Sequence, residues 1–358
     1  MAEPVVPMAN SEDPDRRQFL QHAGVAAAGV VLAESLTQGG EPTALPLTNT
    51  GLDRIPHKPF GQTKETVSII GLGGYSLGTV ATQREATRIL HEAVDAGVTF
   101  MDNAWEYNDH RSEEWMGEAL RGRRSQVFLM TKVCTHGRDK RVALQQLDES
   151  LKRLQTDRLD LWQIHEVIYD NDPDLHAANG GVLEALDEAK KKGKVRYVGF
   201  TGHKHPSIHM RMLAHQYRYD AVQMPLNCFD ATYRSFEREV LPEVNRRGLA
   251  GLGMKSMGGG GQPILHGNVT PEEALRYAMS LPVATTISGI DSLEVLRQNL
   301  AVARNFRPMS SKDMQALRNR CAAAAADGHL EMYKSTMKYD AAIGRQQHGF
   351  PSPEEMPM

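Results

Sequence analysis

Thr82-Gln83-Arg84-Glu85-Ala86-Thr87-Arg88-Ile89-Leu90-His91-Glu92-Ala93-Val94-Asp95-Ala96-Gly97-Val98-Thr99-Phe100-Met101-Asp102 carries two structural periods in one run. Thr82 and Glu85 form a capping box, and Ala86, Ile89, Leu90, Ala93 and Val94 share one helical face until Gly97 stops it. Val98 to Asp102 then reads as a short buried strand. The same order repeats outward in both directions. Further strands are expected at Val67 to Gly71, Val127 to Thr131, Leu159 to Ile164, Val195 to Phe200, Ala221 to Met224, Leu249 to Met254 and Ala284 to Ser288. Helical stretches follow them, among them Ser112 to Arg121, Val182 to Lys192, Ile208 to His215, Phe236 to Arg246, a helix opened by Thr270-Pro271-Glu272-Glu273, and Leu293 to Ala303. Eight strands and eight helices in strict alternation over residues 67 to 303 predict an α/β fold, a closed (β/α)8 barrel of about 250 residues. A doubly wound open sheet shares the alternation, but its glycine fingerprint is incomplete in Gly71-Leu72-Gly73-Gly74-Tyr75-Ser76.

The rest of the 358 residues bounds the chemistry. With 41 Lys plus Arg against 44 Asp plus Glu, the net charge of −3 argues against a nucleic-acid partner. Cys134, Cys228 and Cys321 are too few and too scattered for a disulfide framework or a thiolate metal site, and no metal is assigned. At the N-terminus, Asp15-Arg16-Arg17-Gln18-Phe19-Leu20 precedes the apolar run Ala23 to Ala33, which falls short of the ~20 residues of a membrane span. Paired arginines before x-Phe-Leu resemble a bacterial twin-arginine export signal, and a disordered tail is the alternative. The expected organisation is a signal segment at 1–33, a linker at 34–56, the barrel at 57–308, and a C-terminal helix and tail at 309–358. Within that tail Glu331 to Tyr339 has no core period and is expected to fold over the barrel mouth. Periplasmic or other exported localisation follows if the signal operates, and cytoplasmic localisation if it does not.

In such barrels the functional groups gather at the C-terminal ends of the strands. Strand two ends in Asp102, with Tyr107 five positions on; strand three ends in Thr131-Lys132, and strand four runs into His165. Singly, these read as a helix cap, a rim aromatic, a solvated lysine and a core histidine. Jointly they read as proton delivery. A free phenol titrates near pH ~10, so a nearby cation is needed for reversible proton donation near neutrality. Lys132 supplies that charge, Asp102 keeps the lysine protonated, and a neutral His165 donates a hydrogen bond that orients a carbonyl.

These residues resemble the aldo-keto reductase family, whose Asp-x-Ala-x-x-Tyr motif, lysine and histidine are matched by Asp102, Ala104, Tyr107, Lys132 and His165. The resemblance covers about residues 58 to 308. It implies hydride transfer between a nicotinamide cofactor, NADP(H) or else NAD(H), and a carbonyl or alcohol substrate, with Tyr107 as the acid. It also implies cofactor contacts from Thr201, which keeps a hydroxyl where the family has Ser-Asn but is followed by Gly202, and from Gln223, Gly289 and Asn299. The family's Tyr-Ser-x-Leu-Gly stands as Met254-Lys255-Ser256-Met257-Gly258, so Lys255 and the Gly258–Gly261 run are expected at the pyrophosphate. Members that prefer NADP place Arg or Lys after strand eight; here Ile290 and Asp291 stand there, with Arg297 about a turn away. The glycine run also has a reading as a flexible linker, and His203 with His205 reads as a polar loop before a metal site. Because Gly202 and Met254 alter the ring contacts, a non-catalytic nicotinamide-binding redox sensor stands beside the enzyme, with a barrel isomerase or lyase behind both. Export in the folded state adds the twin-arginine machinery as a partner.

Overall fold

The computed structural model describes residues 44–48, 54–134 and 139–340, with isolated positions beyond as far as 355. The expected signal segment and most of the linker lie outside the described residues. Eight parallel strands close into the barrel: β3 (Ile70–Gly73), β4 (Phe100–Asp102), β5 (Phe128–Val133), β6 (Leu159–Ile164), β7 (Val195–Thr201), β8 (Ala221–Pro225), β9 (Ala250–Met254) and β10 (Thr285–Gly289), where β10 pairs with both β9 and β3. The (β/α)8 expectation holds.

Strand one does not run as expected. Val67 belongs to an antiparallel hairpin, β1 (His57–Pro59) with β2 (Thr66–Ser68), and the barrel strand begins only at Ile70. The run Val67-Ser68-Ile69-Ile70 is β-prone throughout, so propensity cannot locate the break. Ser68 makes the corner: its hydroxyl donates to Ile70 O (2.7 Å) and accepts from Thr99 N (2.9 Å). The hairpin thereby presents Phe60 and Val67 to the barrel interior, where they pack with Phe100, Phe128, Leu161 and Leu252.

Alternation is also less strict than the sequence suggests. Short extra helices follow β3 (Gly74–Leu77), β6 (Asp172–Ala177) and β9 (Gln262–Leu265). The single helix expected at Phe236 to Arg246 is two, Phe236–Glu239 and Leu241–Arg246, because Pro242 brings no amide proton to a continuous ladder. The C-terminal extension forms helix Ser311–Ala325, capped by Ser310, whose side chain accepts from Asp313 N. No helix among the described residues is long and apolar enough to cross a membrane. All three cysteines are buried.

At the base of the barrel Lys58 is 1% exposed, and its ammonium donates to Met279 O (2.6 Å) and Leu281 O (3.3 Å), around the C-terminal end of helix Pro271–Ser280. Carbonyl dipoles alone do not repay the lost hydration, and burial pushes the Lys58 pKa down to about 7. Between that value and the ordinary lysine range the unfolded chain binds the extra proton, so folding stability rises with pH there. From pH 7 to pH 9 the parent is expected to gain about 2 kcal/mol from this group, a gain absent in Lys58→Met. Denaturant unfolding at both pH values decides it; equal changes in parent and variant would sink the assignment.

Candidate active site

The barrel places the predicted quartet on three adjacent strands. Asp102 closes β4 opposite Gly73, Lys132 lies on β5 opposite Gln163, and His165 follows β6 directly. Tyr107 sits on the loop after β4, whose next three residues, Asn108, Asp109 and His110, all have positive φ. Asn108 stabilises this uncommon backbone by donating to Tyr75 O and Ser112 Oγ, both at 2.9 Å.

The four side chains meet. Lys132 Nζ donates to Asp102 Oδ1, to Asn103 O (2.7 Å) and to the Tyr107 hydroxyl (3.3 Å), and it lies 4.8 Å from the centroid of the Tyr107 ring. The Tyr107 hydroxyl is 3.5 Å from His165 Nε2, with the two rings edge to face at 5.5 Å. Tyr75 packs edge-on against the other side of Tyr107 at 5.5 Å.

One electrostatic expectation is overturned. Tyr107 is not made more acidic: burial, followed by the charges of Asp102, Glu106 and Glu166, raises it well above the ordinary phenol value. Lys132 touches the hydroxyl, but its charge is already answered by Asp102, and the surrounding carboxylates prevail. His165 Nδ1 is paired with Glu106 Oε1, a residue to which the sequence reading gave no role. Gln163, two positions before His165 and facing the same way along β6, was also missed; its Nε2 donates to Gln223 Oε1 at 2.7 Å.

The remaining positions divide. Thr201 and Gln223 are register partners on β7 and β8 and lie beside the quartet. Gly202 has a packing reason: a Cβ there would stand 2.2 Å from Val167 O, so the loop after β6 excludes the side chain that the family has at this place. Asn299 Nδ2 donates to Ser288 Oγ (3.1 Å) beneath the exposed Gly289. Arg297 is held by both oxygens of Glu92, at 2.6 and 3.0 Å. His203 and His205 face different partners: His203 donates to Tyr333 O, while His205 caps helix Pro206–Ala214 by accepting from Ser207 N.

Lys255 and the glycine run meet the chain's own tail. Lys255 Nζ lies 5.1 Å from the Tyr333 ring centroid and 5.2 Å from that of Tyr339, and burial lowers its pKa to about 8. Gly258 has φ +73°, and a Cβ there would come 2.6 Å from Pro263 Cδ. The tail itself is anchored by buried groups, with Lys334 Nζ donating to Asp230 (2.6 Å) and Glu331 (3.0 Å), and Asn227 Nδ2 donating to the Tyr333 hydroxyl (3.0 Å). A cleft of about 800 Å³ opens between this tail and the loops after β6 and β7, lined by Tyr169, Lys204 and Arg234 but by none of the quartet.

A barrel of this topology with a buried Asp–Lys pair, a phenol and an imidazole at its C-terminal mouth defines an oxidoreductase class. The chain belongs to the Aldo/keto reductase family, whose model matches residues 69–263. It is 26% identical over 304 residues to the uncharacterized oxidoreductase YqkF of Bacillus subtilis (strain 168), covering 73% of this chain and 95% of that protein. It is 32% identical to the 6-dehydroglucose reductase of Novosphingobium aromaticivorans, over 40% of this chain and 50% of that one. Among solved structures, an aldo-keto reductase from Bacillus halodurans in its holo form superposes with a TM-score of 0.64 at 24% identity, covering 75% of this chain and 96% of that one. A Klebsiella pneumoniae aldo/keto reductase in complex with NADP and acetate superposes with a TM-score of 0.59 at 23% identity, covering 74% of this chain and 94% of that one. At these identities the two superpositions bear on fold alone.

Proposed function

We propose that this chain reduces a carbonyl substrate, or oxidises the matching alcohol, with a nicotinamide dinucleotide, and that Tyr107 is the group that delivers the proton. The observation that carries the reading is the meeting of the Tyr107 hydroxyl with Lys132 Nζ and His165 Nε2 at the barrel mouth. A nearby donor and a nearby acceptor suit the cofactor's carboxamide. Among the described residues Gln223 Nε2 has only the Met254 sulfur, 3.6 Å away, as a weak acceptor, and Gln163 Oε1 is buried without a hydrogen bond. Thr201 and Gln223 would hold the nicotinamide end, Lys255 and Gly258 the phosphates, and Gly289 with Asn299 the adenine end.

When bound, the dinucleotide supplies or accepts the hydride. Tyr107 holds the transferable proton on an oxygen 3.3 Å from Lys132 Nζ, and its raised pKa keeps it protonated for donation to a carbonyl oxygen that gains negative charge. Lys132 then faces the resulting phenolate, while Asp102 acts through Lys132 by keeping it charged. The first cofactor assignment is NADP(H), supported by the family and by the NADP named with the Klebsiella structure. NAD(H) is the alternative, supported by Asp291 standing where a 2′-phosphate partner is expected and by the engagement of Arg297 with Glu92. A relative named for a sugar substrate brings ketosugars and aldoses into the substrate panel.

Tyr107→Phe is expected to lower carbonyl turnover by roughly 10²- to 10⁴-fold while dinucleotide binding, followed by fluorescence titration, stays unchanged. Turnover equal to the parent would remove Tyr107 from the chemistry. A parent that binds dinucleotide and turns over no member of a broad carbonyl panel would favour the redox-sensor reading.

The same proposal includes export through the twin-arginine machinery, supported by Arg16-Arg17-Gln18-Phe19-Leu20 before an apolar run. Residues 1–56 fused to a folded reporter are expected to carry it out of the bacterial cytoplasm, and Arg16→Lys with Arg17→Lys to retain it. Export that persists in the double variant would refute the signal.

A further inference from the structure

We propose that Cys228 and Cys321 form a disulfide site, at which an oxidant of the disulfide class links the loop after β8 to helix Ser311–Ala325 and so fastens the C-terminal tail to the barrel.

The two residues stand 93 positions apart, and folding brings their sulfurs to 3.7 Å. Spacing along the chain gave no reason to pair them. Both residues are fully buried. A disulfide bond is about 2.05 Å long, so the sulfurs have under about 2 Å to close, a displacement that side-chain torsion supplies. Cys134 lies elsewhere, directly after β5, with its amide donating to Gln146 Oε1 (3.0 Å). The odd thiol of the three is thereby identified.

The place of the pair gives the bond its consequence. Helix Ser311–Ala325 spans 15 residues but buries only Leu317, Cys321 and Ala325, a single stripe with a spacing of four. Two ion pairs add to it, Arg318 with Glu237 (3.1 Å) and Arg320 with Glu273 (2.7 Å), the second of them open to solvent. Cys321 is the middle residue of the stripe. On the barrel side, Cys228 follows Asn227, which donates to the Tyr333 hydroxyl (3.0 Å) and to Glu331 Oε1 (3.1 Å). It precedes Asp230, which accepts from Lys334 Nζ (2.6 Å), by two positions. A covalent bond here therefore leaves only ten positions between Cys321 and the anchored Glu331, and it secures the segment whose rings cover Lys255.

Of the two thiols, Cys321 is the one that ionises. Its pKa is lowered, first by the hydrogen bond that Cys228 gives to the thiolate and then by the Arg320 charge, whereas the same contact and burial raise Cys228. The Cys321 thiolate attacks one sulfur of the oxidant R–S–S–R; that S–S bond breaks, R–S⁻ leaves, and a mixed disulfide forms on Cys321. Cys228 passes its proton to the departing R–S⁻ and attacks the Cys321 sulfur. The second R–S⁻ is expelled and takes up the proton that Cys321 gave to solvent. Two protein thiols are thus oxidised by two electrons, and one oxidant disulfide is reduced to two thiols. Because both sulfurs are buried, the oxidant meets them while the chain folds or while the helix is locally open. Such bonds persist in oxidising surroundings, which suits an exported protein.

The test supplies its own oxidant and stands apart from the export and reductase readings. Full-length protein is reduced and unfolded, refolded in a mixture of oxidised and reduced glutathione, quenched in acid, and alkylated in denaturant before digestion. Peptides joined through Cys228 and Cys321, lighter by two hydrogens than the separate pair, are expected, with Cys134 alkylated. Cys134→Ser is expected to keep the link. A second arm warms folded parent below its melting point with oxidised glutathione, and the same link is expected without refolding. The linked parent is expected to melt about 5–10 °C above the same protein after reduction, and Cys228→Ser to melt alike after both treatments. Cys228 and Cys321 both alkylated in both arms, a glutathione adduct as the end product, a link through Cys134, or a linked protein that melts with the reduced one would each overturn the proposal.

Discussion

A lysine ammonium withdrawn from water is tolerable only where fixed oxygens replace its hydration, and Lys132, 1% exposed, is placed where Asp102 and the Asn103 carbonyl do so. The rest of the mouth is arranged around that pair. It fixes the end of β4 against β5 and brings a cation within 3.3 Å of the Tyr107 hydroxyl. Removing either partner would leave an uncompensated buried charge, which is far costlier than losing a surface ion pair.

The same logic of buried pairing governs the C-terminal tail. Helix Met332–Ser335 has too few turns to stand by itself; it is kept in place by Lys334, wholly buried between Asp230 and Glu331, and by Tyr333 against Asn227. Its aromatic rings then cover Lys255 beside the glycine run. The loops after β7, β8 and β9 are thereby braced by a segment more than seventy residues further along the chain, and the face of the barrel expected to take phosphates has an aromatic wall.

The barrel was legible because it rests on two periods that sequence displays directly: apolar faces of period 3.6 and short buried strands bounded by glycines. Catalytic-type residues at strand ends were legible for the same reason, since Asp102, Lys132 and His165 all stand where a strand ends or just after it. What escaped depended on three-dimensional convergence. Glu106 lies between Trp105 and Tyr107, and nothing in that run says which of them turns toward His165. The raised Tyr107 pKa needs Asp102, Glu106 and Glu166 counted together, although Glu166 comes about sixty positions after the other two. Gly202 reads as a lost cofactor contact until the Val167 carbonyl is seen occupying the space. Val67 misled because hairpin and barrel strands have the same local chemistry.

The central claim is electrostatic: beside a lysine whose charge is matched by Asp102, the Tyr107 phenol is held protonated rather than made acidic. Labelling tyrosine at Cζ, assigning Tyr107 by its absence in Tyr107→Phe, and following the carbon shift with pH tests this directly. The account predicts a phenol shift that persists past pH ~10, the titration range of an ordinary tyrosine. A Tyr107 signal that moves to the phenolate position below pH 8 would contradict it.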